Sequence, residues 1–223
     1  MHSRQFVGRS GLGAPRPAKV PEMLRLSASG LGCVRGQRRI FEKINLRLSA
    51  GEALAVVGPN GSGKSSLLRL VAGLLRPSEG SIDLEGGTAE AAIAEQTHYL
   101  GHLDALKGAL TVVENLDFWA RYLGSGSNDI ISALAALGLE ALSHLPASYL
   151  SAGQRRRLSL ARLIAVPRPV WLLDEPNSAL DAAGQERLAG LMRDHLAGGG
   201  IILAATHGPL GIDARELRLG TAS

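Results

Sequence analysis

The sequence predicts an α/β domain in which a parallel sheet is covered by helices. Apolar runs of strand length alternate with amphipathic helical stretches toward both ends of the chain. One of these runs, residues 53–57, enters a glycine-rich turn that opens a helix. Between the two strand-rich halves lies a mainly helical insert, residues 102–165.

Residues 23–29 and 44–48 alternate apolar and polar side chains, as half-buried strands do. Residues 53–57 are continuously apolar and read as a buried central strand. A helix should follow over 64–74, ended by Arg76-Pro77, and Gly80 and Gly87 bracket a strand at 81–85. Thr111-Val112-Val113-Glu114 has capping-box spacing and opens a helix to about Leu123, which 124–126 break. Residues 129–137 have helical spacing, with Gly138 as their stop. Ser151 starts a helix running through Ile164, which Pro167 and Pro169 end. Strand, helix and strand then follow at 170–173, 182–197 and 201–205. The 16 residues after His207 are too few for a C-terminal regulatory domain.

A chain of 223 residues can bury one α/β core, so 23–223 read as a single domain. No stretch approaches the roughly 18 consecutive apolar residues of a membrane-spanning helix. The single cysteine, Cys33, excludes an internal disulfide framework and fits a reducing cytosol. Most of the formal net charge of +4 lies in residues 1–22, where Arg4, Arg9, Arg16 and Lys19 face only Glu22. The remainder is nearly neutral and lacks the clustered basic face of a nucleic-acid binder, so no such partner is expected. Arg155-Arg156-Arg157 sits inside a predicted helix, where the three side chains point around the axis. The leader, rich in Gly, Pro and Arg, reads as disordered, and Met23 is the expected natural start, with a transit peptide as the alternative.

Five short motifs carry chemistry. Gly58-Pro59-Asn60-Gly61-Ser62-Gly63-Lys64-Ser65, followed by Ser66, fits Gly-x4-Gly-Lys-Ser between a strand and a helix. Its glycines let backbone N–H groups approach phosphate oxygens, and the helix N-terminus adds a favourable dipole. Lys64 should pair with β and γ phosphates, and the Ser65 hydroxyl should ligate Mg2+. Asp174 follows four apolar residues at the carboxyl end of a buried strand and suits the magnesium shell; Glu175 beside it suits the general base. Ser151-Ala152-Gly153-Gln154 is a capping box that also offers N–H groups and a hydroxyl to an anion. His207, after an apolar strand and Thr206, could reach a γ-phosphate. Asp181 reads equally as a residue at a dimer seam or as a helix cap.

In this order, these motifs resemble the ATP-binding subunits of ABC transporters over nearly all of residues 23–210. The resemblance implies a P-loop NTPase with a mixed central sheet, a small antiparallel β subdomain and a helical subdomain at about 102–165. It implies ATP and Mg2+ as cofactors, catalytic roles for Lys64, Glu175 and His207, and metal roles for Ser65 and Asp174. Ser151, Gly153 and Gln154 would contact ATP held by a second, identical subunit, and closure of the pair would drive integral membrane subunits. A cytoplasmic position on the inner face of the cell membrane follows from the same resemblance.

A narrower likeness runs through Tyr99-Leu100-Gly101-His102 to Lys107, Leu110-Thr111 and Glu114-Asn115-Leu116-Asp117-Phe118. These stretches, with Thr206-His207-Gly208-Pro209-Leu210, are similar to the ATP-binding subunits of haem exporters in bacterial cytochrome c maturation. That likeness implies an indirect link to a haem chaperone system. Two departures from the wider family follow. Its magnesium-linked glutamine is replaced by His102, the nearest glutamine being Gln96, and no aromatic for adenine stacking occurs in Gly32-Cys33-Val34-Arg35. Export of a drug or lipid is the alternative within the family. A soluble ABC ATPase working on ribosomes or DNA is disfavoured, because the 86 residues between Lys64 and Ser151 leave no room for a coiled-coil arm.

Overall fold

The computed structural model describes residues 23–88, 90–124 and 130–220. The disordered leader expected at 1–22, and the helix start expected at Asp129, lie outside the described residues.

Two sheets form. Strand β1 (Arg25–Arg35) pairs antiparallel with β2 (Arg38–Ser49) on one side and β4 (Glu79–Glu85) on the other. Register shifts beyond Ala28 reset the inward face of β1, which is why its period-2 alternation stops at Ser29 although the strand continues. The second sheet holds β3 (Ala53–Val57), β5 (Thr97–Leu100), β6 (Val170–Asp174), β7 (Ile201–Ala205) and β8 (Arg215–Arg218), in the order β5-β6-β7-β3-β8. Every pairing in it is parallel. The mixture of strand directions expected of the central sheet is thus divided between two sheets, the antiparallel pairs gathering in the smaller one.

The parallel sheet is buried on both faces, so its core strands read as continuous apolar runs. Ala55, Leu100, Trp171, Leu173, Ile202 and Ala204 face a core shared with the helical insert. Leu54, Val56, Val170, Leu172 and Leu203 face a core shared with the three-stranded sheet and α1 (Lys64–Val71). Helix α1 stops sooner than predicted, because Gly73 N–H closes on the Leu70 carbonyl and Leu74 N–H on that of Arg69. Helices α2 (Val112–Tyr122) and α3 (Ile130–Ala136) pack on α4 (Ala152–Ala165). The α2 capping box is complete, with both reciprocal bonds between Thr111 and Glu114. Helix α5 (Ala182–Ala197) has its expected bounds.

Two histidines, His98 and His195, are buried. His98 of β5 bonds the Val166 carbonyl at 2.6 Å, and His195 of α5 stacks on Trp171 at 3.9 Å between ring centroids. Burial lowers their pKa values to about 3 and about 4. Both rings are therefore neutral in the fold and take up protons near pH 6.5 only when the chain unfolds. Stability is fully present above that pH and falls as pH drops toward the folded values. At pH 5.5 the loss is about 1.4 kcal/mol per histidine. Replacing His98 with Gln should flatten the dependence of urea midpoint on pH between 6.5 and 4.5, and an unchanged slope would remove His98 as a source.

Candidate functional site

The carboxyl ends of β6, β7 and β3 lie side by side. From β3 the chain enters residues 58–63. Gly63, at φ 100°, caps α1, and a β-carbon there would stand 2.6 Å from the Ile40 methyl and 2.8 Å from the Phe41 ring. Only glycine lets this turn lie against β2 and aim the α1 N-terminus into the loop. Lys64 is buried, and its Nζ donates to the carbonyls of Gly58 at 2.8 Å and Pro59 at 3.2 Å. The same Nζ lies 3.1 Å from His207 Nε2, which accepts when the imidazole is neutral. Ser62 Oγ is buried without a partner, while Asn60 and Gly61 form the exposed rim. An ammonium resting on loop carbonyls and an orphaned hydroxyl beside it are the donor set that a phosphate chain takes.

The cation side of the site is built on Asp174. Ser65 Oγ donates to its Oδ1 at 3.0 Å, and Tyr99 OH to its Oδ2 at 3.4 Å. Arg69 Nε donates in turn to the Tyr99 oxygen at 3.1 Å. Burial raises the Tyr99 phenol pKa, keeping the hydroxyl protonated as a donor. A hydroxyl beside a carboxylate at the mouth of a phosphate loop fits a hard, oxygen-seeking cation such as Mg2+.

Glu175 follows at φ 49°, a left-handed conformation that costs a non-glycine residue about 1–2 kcal/mol. Its neighbours fix it there. Glu175 N–H donates to the Ala205 carbonyl at 2.9 Å, while its own carbonyl accepts from Ser178 N–H at 3.1 Å and Arg156 Nη2 at 2.8 Å. The carboxylate then stands with Oε1 3.6 Å from His207 Nε2. Thr206, buried, holds the histidine out by accepting from Gly208 N–H at 3.1 Å and donating to the Gly208 carbonyl at 2.8 Å. Lys64, Glu175 and His207 thus converge from three strand ends.

The other expected residues are placed as follows. Ser151 caps α4: its Oγ accepts from Gln154 N–H at 3.2 Å, and the Gln154 side chain accepts from Ser151 N–H at 2.8 Å. Ser151 is exposed, and Gly153 lies against the Ala179 carbonyl. This cap keeps its bonds within its own segment, on a surface open to another molecule. Ser66 lies beside Ser65 in the first turn of α1. Asp181 caps α5 through Gly184 N–H at 2.8 Å, so the helix-cap reading describes its bond. His102 is exposed just past β5, whose Leu100 pairs with Leu173 next to Asp174. Gln96 is buried and spends its amide on Thr88 and Ala91.

No aromatic side chain ends β1, where Val34 is half exposed. Loss of ring stacking removes on the order of 1 kcal/mol of base preference. GTP should therefore compete with ATP for the purified chain within roughly tenfold. A preference for ATP of a hundredfold or more would show that another residue reads the base.

Sequence reasoning missed three supporting residues. Tyr99 orients Asp174. Arg156, inside the basic run, turns wholly inward, whereas Arg155 and Arg157 bond the Leu150 and Leu137 carbonyls on other sides of the helix. Asn115, buried on α2, binds Lys107 through both backbone atoms and accounts for the carbonyls of Leu110 and Thr111. An amide at an apolar position of a helix was the one signal that could have found it.

Comparison with known proteins agrees with this geometry. A family model described as ABC transporter matches residues 41–178. The chain is 64% identical over 200 residues to a "Cytochrome c biogenesis ATP-binding export protein CcmA" of Nitrobacter winogradskyi, covering 90% of this chain and all of that one. Proteins of the same name from Bradyrhizobium diazoefficiens (61%; 88% of this chain, 98% of that one) and Rhizobium etli (50%; 88% and 94%) are also similar. Among solved structures, an ABC transporter ATP-binding protein from Pyrococcus furiosus superposes with a TM-score of 0.76 at 24% identity, covering 87% of this chain and 97% of that one, a likeness of fold. The chain belongs to the ABC transporter family, as an ATP-hydrolysing member.

Proposed function

We propose that this chain is the ATPase subunit of an exporter complex that serves cytochrome c assembly, energising the export of haem or its release to a carrier. The convergence of Lys64, Glu175 and His207 beside the Ser65–Asp174 pair carries the ATPase part of this reading. The names of relatives 50–64% identical over nearly their whole lengths support the cytochrome c part over export of a drug or lipid.

In the proposed cycle, residues 58–65 bind the phosphates through backbone N–H groups and Lys64. Ser65 and Asp174 would hold Mg2+, with His102 as the candidate link between that ion and the membrane partner. A bound magnesium would neutralise charge on the transferred phosphoryl group. Glu175 takes the proton of the attacking water, and His207, held by the Thr206 turn, orients the γ-phosphate end. Each site is completed by Ser151, Gly153 and Gln154 of a second copy.

Among the described residues no helix is long and apolar enough to cross a membrane. In this reading the chain drives separate integral membrane subunits. The candidate contact is the segment around Leu103–Lys107. Leu103 is 81% exposed, and Phe118 and Tyr122 stand exposed on α2, where Lys107 covers the Phe118 ring at 4.2 Å. The complex would sit on the cytoplasmic face of the inner membrane.

The test is genetic and biochemical. Deleting the gene should abolish haem-stained c-type cytochromes, with rescue by the wild-type chain and none by Glu175→Gln. Normal c-type cytochromes in the deletion strain would overturn the assignment to this assembly.

A further inference from the structure

We propose that Arg156 is a positioning residue that aims the general base Glu175 and ties that aim to the loop that opens the membrane-contact segment. This rests on the reading of Glu175 as base. Arg156 lies on the second turn of α4, and its side chain is 2% exposed. A buried guanidinium needs partners for its donors, and backbone carbonyls with one carboxylate supply them. Nη2 donates to the carbonyls of Asp174 at 3.0 Å and Glu175 at 2.8 Å, and Nε to that of Pro176 at 3.4 Å. The carbonyls on both sides of the Glu175 α-carbon are therefore held by one nitrogen. Rotation of either peptide would swing the carboxylate, so this grip, with the Ala205 and Ser178 bonds, sets where the base points.

The remaining nitrogen faces the other way. Nη1 donates to the Gly101 carbonyl at 3.0 Å and meets Asp104 Oδ1 at 3.4 Å, the one carboxylate paired with this buried charge among the described residues. Gly101 and Asp104 flank exposed His102 and Leu103. A partner that shifts this loop pulls on one edge of a rigid planar fork whose other edge holds the catalytic peptide. The same arginine grows from the helix whose N-terminus carries Ser151. One side chain thus joins α4, the base and the outward loop.

The test uses the purified full-length chain and reads ATP hydrolysis, binding of a fluorescent ATP analogue and thermal midpoint. Misplacement of a base by about 1 Å can lower turnover 100-fold. Arg156→Met should lower kcat about 100-fold, with KM and analogue affinity changed less than about threefold. Arg156→Lys, which keeps the charge and fewer donors, should restore about a tenth to a third of the rate. Asp104→Asn, at a partly exposed position, should lower kcat about three- to tenfold with KM unchanged.

Wild-type kcat in soluble Arg156→Met would overturn the proposal. So would a loss by Arg156→Met that Arg156→Lys does not recover, with KM and thermal midpoint moving together, because that pattern marks a purely structural arginine. Should Arg156→Met not fold, Arg156→Lys and Asp104→Asn decide, and wild-type kcat in both overturns the proposal. Failure of the wild-type chain and its assembled complex to hydrolyse ATP would instead strike the ATPase reading itself.

Discussion

Glu175→Gln is expected to bind ATP as tightly as the wild-type chain and to hydrolyse it at least about 100-fold more slowly. A positioned general base contributes roughly 10²- to 10⁴-fold, and an amide of the same shape cannot take the proton. Glu175 is the carboxylate aimed into the site, its Oε1 3.6 Å from His207 Nε2, whereas Asp174 is engaged by Ser65 and Tyr99. The substitution keeps the side-chain length and leaves the backbone bonds to Ala205, Ser178 and Arg156 in place, so folding should be unaffected. With hydrolysis blocked, ATP should hold two copies together, and size-exclusion chromatography should show a dimer only when ATP is present. Turnover near the wild-type rate would remove Glu175 as the base.

Lys64→Ala should act on the other half of the cycle, weakening nucleotide binding itself. Lys64 Nζ is held by two loop carbonyls and His207, pre-aimed at the place where phosphate enters. A hydrogen bond to a charged group contributes about 1.5–3 kcal/mol, so Kd should rise on the order of 10- to 100-fold by calorimetry. The thermal midpoint of the nucleotide-free chain should change little, since the lysine bonds loop carbonyls at the mouth of the site. Unaltered affinity would mean that the loop binds phosphate through its backbone alone.

Much of this was legible in the residues because the sheet is parallel and the motifs sit where its strands end. Residues 53–57 and 201–205 show the structure's own bounds because they are continuous apolar runs, and 182–197 because Asp181 caps the helix and Gly198 follows its end. The capping boxes at Thr111 and Ser151 are present bond for bond. Strand β5 was missed because its four residues, Thr-His-Tyr-Leu, carry polar atoms that the interior satisfies. Strand β8 was missed because Arg-Glu-Leu-Arg is an exposed edge that earns its place by backbone pairing with β3.

The site shows the same division. Lys64, Ser65, Asp174, Glu175 and His207 were readable because each follows a strand or opens a helix at a fixed offset. Tyr99 and Arg156 were not, since each supports the site from a distant stretch of chain. Helical periodicity places Arg155, Arg156 and Arg157 around an axis but does not say which of them meets the sheet. That is settled by the packing of α4 beside β5 and β6, a long-range fact. His102 stands between these cases: its place at the family's glutamine position was readable, whereas its location just past β5 was not, since that strand was missed.

The most direct measurement follows specific ATPase activity down a dilution series while analytical ultracentrifugation reports the mass. If every phosphate pocket borrows the α4 N-terminus of a neighbouring copy, activity per chain falls toward zero as pairs separate and returns on concentration. Constant activity per chain in a sample that is monomeric throughout would contradict that arrangement.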